Sequence, residues 1–326
     1  MTSAKDQYRK VLVTGGAGFI GSHIVDALMS DARIERVVVI DNFDENYDLK
    51  LKEQNVRLHK KNPKYRLVRG DIRDFKKLYK IFKDEKFDAV MHLAAKCNAR
   101  AAVEDPYPYI DTNIVGTFNL LECAKDFSIK KFVLASTSSV YGNGNKAPFK
   151  ESMHTDRALT AYGASKKAIE QLAYTYHHNF GLSVVCLRIF NAYGERMRPD
   201  LVLPKWVRAI ESGKEIELSG KGTRKRDYTY VGDVADAFMR ALHAQIGYDV
   251  INIGSSKPFA LMQLLKIVEQ TLKKKAVVIE VPSHTGSVEM THANTEKAQK
   301  VLGWAPRTVL TEGVSKYIAW LAAHSK

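Results

Sequence analysis

The chain has 326 residues, of which 45% are hydrophobic and 26% charged, which excludes a disordered chain, a collagen and a coiled coil. Its 50 basic and 36 acidic residues give a formal net charge of +14, which favours anionic partners such as nucleic acid, a membrane surface or phosphorylated small molecules. We expect a reduced, cytoplasmic protein without a metal site, because there is no secretory signal, no apolar run near the roughly 18 residues of a membrane helix, and no pairing or clustering among the cysteines.

The first half of the chain alternates predicted strands and helices. Short β-branched or apolar runs, typical of strands buried on both faces of a sheet, occur at residues 10–14, 36–40, 65–69, 89–93, 131–136 and 183–188. Helical patterns lie between them at residues 18–29, 74–83, 112–125 and 161–179. Repeated strand–helix units predict an α/β fold with a Rossmann-like, doubly wound parallel sheet and right-handed crossovers.

The second half has a looser pattern. Its predicted elements are a helix at 203–212, strands at 215–218 and 250–253, a helix at 259–273 and a strand at 277–281. There is no internal repeat and no long linker, so we expect a smaller C-terminal α/β region that covers the sheet instead of a detached module.

A glycine-rich motif with GxxGxxG spacing ends the first predicted strand and opens the first predicted helix. Gly15 permits a tight turn, Gly18 lets the backbone approach a pyrophosphate at the helix N-terminus, and Gly21 lets the helix pack against the strand. Asp41 follows Gly21 by 20 residues, at the end of the second predicted strand. A carboxylate there accepts hydrogen bonds from a ribose diol and repels a 2′-phosphate, so the cofactor is predicted to be NAD.

Two further motifs predict alcohol chemistry. Tyr162 and Lys166 stand four residues apart on a predicted helix and therefore share one face. The Lys166 ammonium favours the Tyr162 phenolate and lowers a pKa that is normally about 10, which makes the phenolate a plausible base for an alcohol proton. Thr137, Ser138 and Ser139 follow a buried strand, at the edge of the sheet where ligands bind in doubly wound folds, and their hydroxyls suit a sugar.

In their order and spacing these motifs resemble the extended short-chain dehydrogenase/reductase family of nucleotide-sugar 4-epimerases, 4,6-dehydratases and decarboxylases, over nearly the whole chain. The resemblance implies an NAD-binding domain at residues 1–189, to which 228–256 return, and a substrate-binding region at 190–227 and 257–326. It also implies a homodimer formed through the helices at 112–125 and 161–179, with Leu121, Leu172 and Tyr174 as candidate apolar contacts.

The resemblance implies cofactor-binding roles for Gly15, Gly18, Phe19, Ile20, Gly21, Asp41, Asn42, Asp71, Ile72, Leu93, Ala94, Ala95, Asn113, Tyr162 and Lys166. It implies catalysis by Thr137, Tyr162 and Lys166. It implies substrate contacts by Ser138, Ser139, Asn191, Arg198 and Arg226.

The residues after Thr137 separate the branches of this family. The 4,6-dehydratases place Asp-Glu there and the decarboxylases place Glu two residues after the threonine, whereas this chain has Ser138 and Ser139. A serine cannot do the proton work of a carboxylate, which favours 4-epimerisation of a UDP-hexose or UDP-hexuronate with NAD regenerated in each turnover. Arg198 falls where the glucuronate 4-epimerases hold the sugar carboxylate, although Asn191 stands where that group has threonine.

Two alternative functions and the identity of the nucleotide base stay open. The chain departs from the family pattern in the nucleotide site at Ser219, His284 and Ser287, so the base is not assigned. A 4,6-dehydratase or decarboxylase is the second interpretation, disfavoured by the two serines. A non-catalytic NAD-fold protein that binds nucleic acid is the third; the charge supports it and the Thr-Tyr-Lys set opposes it, so we expect a nucleotide sugar as partner and neither nucleic acid nor a membrane.

Overall fold

The computed structural model describes residues 8–282 and 288–324. The strands are β1 (Lys10–Thr14), β2 (Arg36–Asp41), β3 (Tyr65–Arg69), β4 (Ala89–His92), β5 (Lys131–Thr137), β6 (Val184–Ile189), β7 (Ala192–Tyr193), β8 (Glu215–Ser219), β9 (Lys225–Asp227), β10 (Thr229–Tyr230), β11 (Tyr248–Ile253), β12 (Pro258–Ala260) and β13 (Val277–Val281). The helices are α1 (Phe19–Ser30), α2 (Leu49–Arg57), α3 (Phe75–Glu85), α4 (Ala101–Glu104), α5 (Tyr107–Tyr109), α6 (Gly116–Asp126), α7 (Ala161–Phe180), α8 (Val202–Glu211), α9 (Val231–His243), α10 (Leu261–Leu272), α11 (Glu296–Leu302) and α12 (Leu310–His324).

Within these residues the main sheet has seven parallel strands in the order β11-β6-β5-β4-β1-β2-β3. The strand order reverses between β1 and β4, and in such sheets the loops on either side of that point open a crevice at the carboxyl ends of the strands. The α/β, doubly wound fold predicted from the sequence is confirmed.

Two apolar layers cover the faces of this sheet. Strand β5 is buried at every position, because helices lie on both of its faces. Val133 packs in a cluster with Ile24 of α1 and Phe238 of α9, whereas its neighbour Leu134 packs in a cluster with Leu120 of α6 and Ile169 of α7. The alternation of faces along the strand therefore explains why a continuous apolar run is needed there.

The C-terminal region has a core of its own, built by α8, α10 and α12 around the two-stranded sheet β8–β13, with Trp206, Leu264 and Tyr317 among its buried members. The pairs β7–β10 and β9–β12 are two further two-stranded sheets beside it. None of the described helices is long and apolar enough to cross a membrane.

The structure corrects two predicted helices. The helix expected at 112–125 is divided into a π-helical segment, Ile110–Val115, and α6. The π-helical segment contains Asn113, whose side chain holds the backbone of Lys96 at both its N–H and its carbonyl. The helix expected at 259–273 begins only at Leu261, because Pro258–Ala260 pairs with β9 as a strand.

Candidate active site

A cavity of about 1140 Å³ lies at the carboxyl ends of β1, β2, β4 and β5 and extends to the C-terminal region. Among the described residues, every residue with a predicted cofactor, catalytic or substrate role lines it, with the single exception of Asn113. The crevice thus brings together motifs that are more than 200 residues apart in the chain, from Gly15 to Arg226.

The glycine-rich loop leaves no room for side chains. Gly15 has a φ of +71°, and a Cβ on it would stand 2.7 Å from the backbone nitrogen of Ala94. A Cβ on Gly21 would stand 2.2 Å from the carbonyl oxygen of Gly15. Helix α1 begins after Gly18 without a side-chain cap, so the N–H groups of its first turn face the crevice as an anion-binding end. This backbone cradle fits the pyrophosphate of a dinucleotide.

Asp41 is buried at the end of β2, where it lines the crevice and also fixes the loops around it. Its carboxylate accepts from the backbone N–H of Phe43 at 2.8 Å and from that of Ala17 at 3.0 Å. Burial raises the pKa of this carboxyl group, and the two N–H donors oppose that rise. Asp41 therefore ties the glycine-rich loop to the end of the second strand, a role that the sequence pattern alone does not show.

Asp71 and Asn42 form the outer wall beside Asp41. The Asn42 amide donates to the Asp71 carboxylate at 3.0 Å. Arg73 donates to the same carboxylate and holds the pKa of Asp71 well below its usual range. The three side chains form a polar edge at the end of the crevice that carries Asp41.

Thr137, Tyr162 and Lys166 meet where β5 ends and α7 begins. The side chain of Thr137 accepts from the backbone N–H of Ser139 at 3.2 Å and hydrogen-bonds with the hydroxyl of Tyr162. Lys166 is buried and its ammonium donates to the carbonyl oxygen of Ala135 at 2.8 Å. The three side chains predicted to be catalytic thus share one wall of the crevice.

The protonation of this trio differs from the expectation. Burial raises the pKa of Tyr162 and outweighs the lowering by its hydrogen bond with Thr137. Burial also lowers the pKa of Lys166, to about 8. The phenolate of Tyr162 is therefore disfavoured in this structure, because removal of the hydroxyl from water outweighs the lowering of its pKa by Thr137 and Arg198.

Arg198 also lines the crevice, with 12% of its side chain exposed. Its guanidinium donates to the sulfur of Cys97 at 2.8 Å and to the carboxylate of Asp200 at 3.1 Å, and its charge lowers the pKa of Tyr162. Cys97 lines the crevice and is one of the residues that the sequence motifs did not reveal. A hydrogen-bonded guanidinium held in this way can bind a carboxylate.

Two guanidinium groups lie together at the other end of the crevice. Arg226 donates to the carbonyl oxygens of Lys225 at 2.8 Å and Glu289 at 3.3 Å, and Arg224 stands 3.6 Å from the exposed carboxylate of Glu289. Burial, and then the charge of Arg224, lower the pKa of Arg226. Like charges in one wall repel unless an anion lies between them, so this end suits a diphosphate.

Asn191 and Ser219 also line this end. The side-chain oxygen of Asn191 accepts from the hydroxyl of Thr291 at 2.8 Å, and the hydroxyl of Ser219 lies 3.5 Å from the carbonyl oxygen of Pro282. His284 and Ser287, the other departures in the predicted nucleotide site, lie outside the described residues.

Asn113 lies behind the crevice instead of in its lining. Its amide accepts from the backbone N–H of Lys96 at 2.8 Å and donates to the carbonyl of Lys96 at 3.0 Å and to the hydroxyl of Ser165 at 2.9 Å. These bonds satisfy the buried amide, so its visible role is to connect the loop after β4 with α7.

Comparison with known proteins agrees with this geometry. The model of the NAD dependent epimerase/dehydratase family matches residues 11–254. The chain belongs to this family. The predictions of an NAD-dependent enzyme of the nucleotide-sugar epimerase type, and of NAD as its cofactor, are confirmed.

The relatives of this enzyme act on more than one sugar. It is 40% identical over 310 residues to the UDP-glucuronate 4-epimerase of Thermodesulfobacterium geofontis, covering 95% of both chains. A Bacillus cereus UDP-glucuronic acid 4-epimerase, solved with UDP-glucuronic acid and NAD, matches with a TM-score of 0.90 and 34% identity, covering 96% of this chain and 99% of the other. A Thermotoga maritima UDP-glucose 4-epimerase with UDP-glucose also reaches 0.90, at 30% identity over 97% and 100% of the chains. Relatives with the same fold therefore act on different sugars, and the fold alone does not identify the substrate.

Proposed function

We propose that the enzyme interconverts UDP-glucuronate and UDP-galacturonate by inversion at C4. The observation that carries the sugar assignment is the Arg198 guanidinium, which stands in the crevice near Tyr162 and is held there by Cys97 and Asp200. A cation whose charge acts on Tyr162 suits the carboxylate at C5 of a hexuronate. The name of the Thermodesulfobacterium relative supports the same substrate.

The residues of the crevice have separate roles in the reaction. NAD, held by the glycine-rich loop and Asp41, accepts a hydride from C4 and returns it within one turnover. Tyr162 takes the proton of the C4 hydroxyl as the transient 4-ketose forms and gives it back afterwards. Thr137 hydrogen-bonds to the same oxygen, and the Lys166 ammonium stabilises the phenolate form of Tyr162, which is the form that accepts the proton.

Inversion requires that the ketose present its other face before the hydride returns. The sugar turns about its diphosphate link while Arg226, with Arg224 beside it, holds the nucleotide end. Ser138 and Ser139 contact the C5 substituent, and their hydroxyls lack the acidity for the proton transfers of elimination. Those two side chains favour epimerisation over water or carbon dioxide loss.

A panel of nucleotide sugars tests this proposal. The purified enzyme is incubated separately with UDP-glucuronate, UDP-glucose and dTDP-glucose, and the products are separated by ion exchange and assigned by proton NMR. We expect UDP-galacturonate to form from UDP-glucuronate faster than UDP-galactose forms from UDP-glucose. Faster turnover of UDP-glucose would overturn the sugar assignment, and a UDP-pentose or a 4-keto-6-deoxy sugar as main product would overturn the reaction.

We also propose a homodimer formed through α6 and α7. Phe118 and Tyr174 are 44% and 49% exposed on these helices, and so large an apolar exposure is typical of an association surface. Of the other two predicted contacts, Leu121 is fully buried in the core and cannot take part, and Leu172 packs partly buried against the same core. Sedimentation at micromolar protein should show twice the monomer mass, and F118D should shift it to monomer; an unshifted mass for that variant would contradict this interface.

A further inference from the structure

The loops that follow β2 and β4 touch each other across the cofactor end of the crevice. The ammonium of Lys96 donates to the carboxylate of Asp44 at 2.7 Å and stands 3.3 Å from the side-chain oxygen of Asn46. All three side chains line the crevice, and none of them belongs to the motifs from which the cofactor site was predicted. The contact joins two segments that are 52 residues apart in the chain.

The order of the strands shows where the contact between Lys96 and Asp44 lies. In the sheet, β2 and β4 flank β1 on opposite sides, so their ends stand about 10 Å apart with β1 between them. The glycine-rich loop begins where β1 ends, at Gly15. A contact between the loops after β2 and β4 therefore passes over the place where that loop cradles the pyrophosphate of a dinucleotide.

Buried side chains hold both ends of the contact. Asn113 bonds the backbone of Lys96 at its N–H and at its carbonyl, and it is 1% exposed. Lys52, which is also buried, donates to the backbone carbonyl of Asp44 at 2.6 Å. The two charged side chains thus start from fixed backbones, which reduces the conformational entropy lost when they pair.

The pair is also partly shielded from water. The side chains of Lys96 and Asp44 are 25% and 26% exposed, whereas the helix-surface pair of Lys316 and Glu312 is 45% and 51% exposed. An ion pair contributes more where water is partly excluded and where its partners are already oriented.

We propose that Lys96 and Asp44 form a clasp over the cofactor crevice that slows the release of NAD. The inference rests on the proposed function, in which NAD is regenerated within each turnover and so does not have to leave. The nucleotide sugar enters from the other end, past Arg224 and Arg226, so a closed clasp does not obstruct the exchange of substrate and product. Lys96 and Asp44 act on the cofactor through one another, as positioning residues.

The test measures how fast bound NAD leaves. Wild type, K96Q, D44N and the double variant are loaded with radiolabelled NAD, diluted into excess unlabelled NAD, and sampled by rapid gel filtration. We expect about 3- to 10-fold faster release from each single variant, with no further gain in the double variant, because each change removes the same ion pair. K316Q, which breaks the exposed pair on α12, serves as the matched control and should release NAD at the wild-type rate.

Ionic strength provides a second measurement on the same samples. Added salt should accelerate release from wild type more than from K96Q, because only wild type retains the pair to be screened. Circular dichroism on each variant shows that it is folded; D44N keeps the size of the side chain, and K96Q shortens it by one bond.

The outcomes separate the clasp from its alternatives. Fast release from K96Q with wild-type release from D44N means that Lys96 binds the cofactor directly, and wild-type release from both means that the pair does not retain NAD; either result overturns the clasp. If wild type holds NAD and K96Q releases it faster, yet no nucleotide sugar is epimerised, the proposed function fails and the clasp stands.

Discussion

The two ends of the crevice are built in different ways. At the cofactor end, the functional groups sit at the ends of adjoining parallel strands and are held by backbone bonds, as Asp41 is by the N–H groups of Ala17 and Phe43. At the substrate end, Arg198 is oriented by the side chains of Cys97 and Asp200. A cofactor site made by the backbone is fixed by the fold and by glycines that cannot be replaced, whereas a substrate site made by side chains can change its ligand without any change of fold.

Removal of the Tyr162 hydroxyl should have the largest effect, because this group stands where the two ends meet. Y162F is expected to lower kcat for UDP-glucuronate by about 100- to 10,000-fold, the usual contribution of a proton-transfer group. The bound NAD content and the melting temperature should stay close to wild type. Y174F, which alters an exposed tyrosine on the same helix, is the control and should keep wild-type kcat.

If Y162F retained near-normal turnover, the proposed acid–base role would be wrong. If the variant lost bound NAD together with activity, the main role of Tyr162 would be to bind the cofactor.

Substitution of Arg198 should separate the two ends most clearly. R198Q is expected to lower kcat/KM for UDP-glucuronate by about 30- to 1000-fold, because a buried charge would lose its partner. The same variant should change kcat/KM for UDP-glucose by only a few-fold and should retain NAD. An equal loss with both sugars, measured side by side, would show that Arg198 does not recognise the carboxylate.

Thr137 contributes a hydrogen bond and not a proton, so its loss should matter less than that of Tyr162. T137V is expected to reduce kcat by about 10-fold, the magnitude of one hydrogen bond to a group that becomes charged. Single-turnover measurements with T137V and Y162F in parallel test the ranking. A loss in T137V as large as that in Y162F would make the threonine a proton-transfer group.

Substitution of Asp41 tests whether the preference for NAD over NADP depends on one negative charge. D41N keeps an oxygen that can accept from Ala17 or Phe43 and removes the negative charge that repels a 2′-phosphate. We expect the ratio of Kd for NADP to Kd for NAD, measured by calorimetry, to fall by about 10-fold. Equal affinity of the unmodified enzyme for both cofactors would refute the predicted preference.

The dependence of activity on pH is the smallest of the expected effects. Burial lowers the pKa of Lys166 to about 8, so this side chain is cationic below that pH and loses its charge above it. Because the ammonium supports the charge on Tyr162, kcat/KM should fall by a few-fold as the pH rises through about 8. A profile that stays flat well above that pH would show that the charge of Lys166 is not needed.

Much of the cofactor end could be predicted because its signals are local. The glycine-rich motif, the carboxylate at the end of the second strand and the apolar runs each lie in one stretch of sequence, and each has a single structural meaning. The helices α2, α9 and α12 were not predicted, since none of them carries a functional motif. The placement of Leu121 at a dimer surface was wrong, because helical spacing does not say which face of a helix packs on the sheet.

The sequence by itself determined the doubly wound parallel sheet and the choice of NAD, since alternating apolar runs, glycine spacing and the carboxylate of Asp41 are local signals, and the family resemblance supplied most of the residues at the crevice. Only the tertiary structure decided which side chains meet. It brought Cys97 to Arg198 and Lys96 to Asp44, moved Asn113 out of the lining, and left the Tyr162 hydroxyl more deeply desolvated than the Tyr-Lys spacing indicates. These contacts join segments far apart in the chain, and burial, which sets their electrostatics, exists only once the whole crevice has formed.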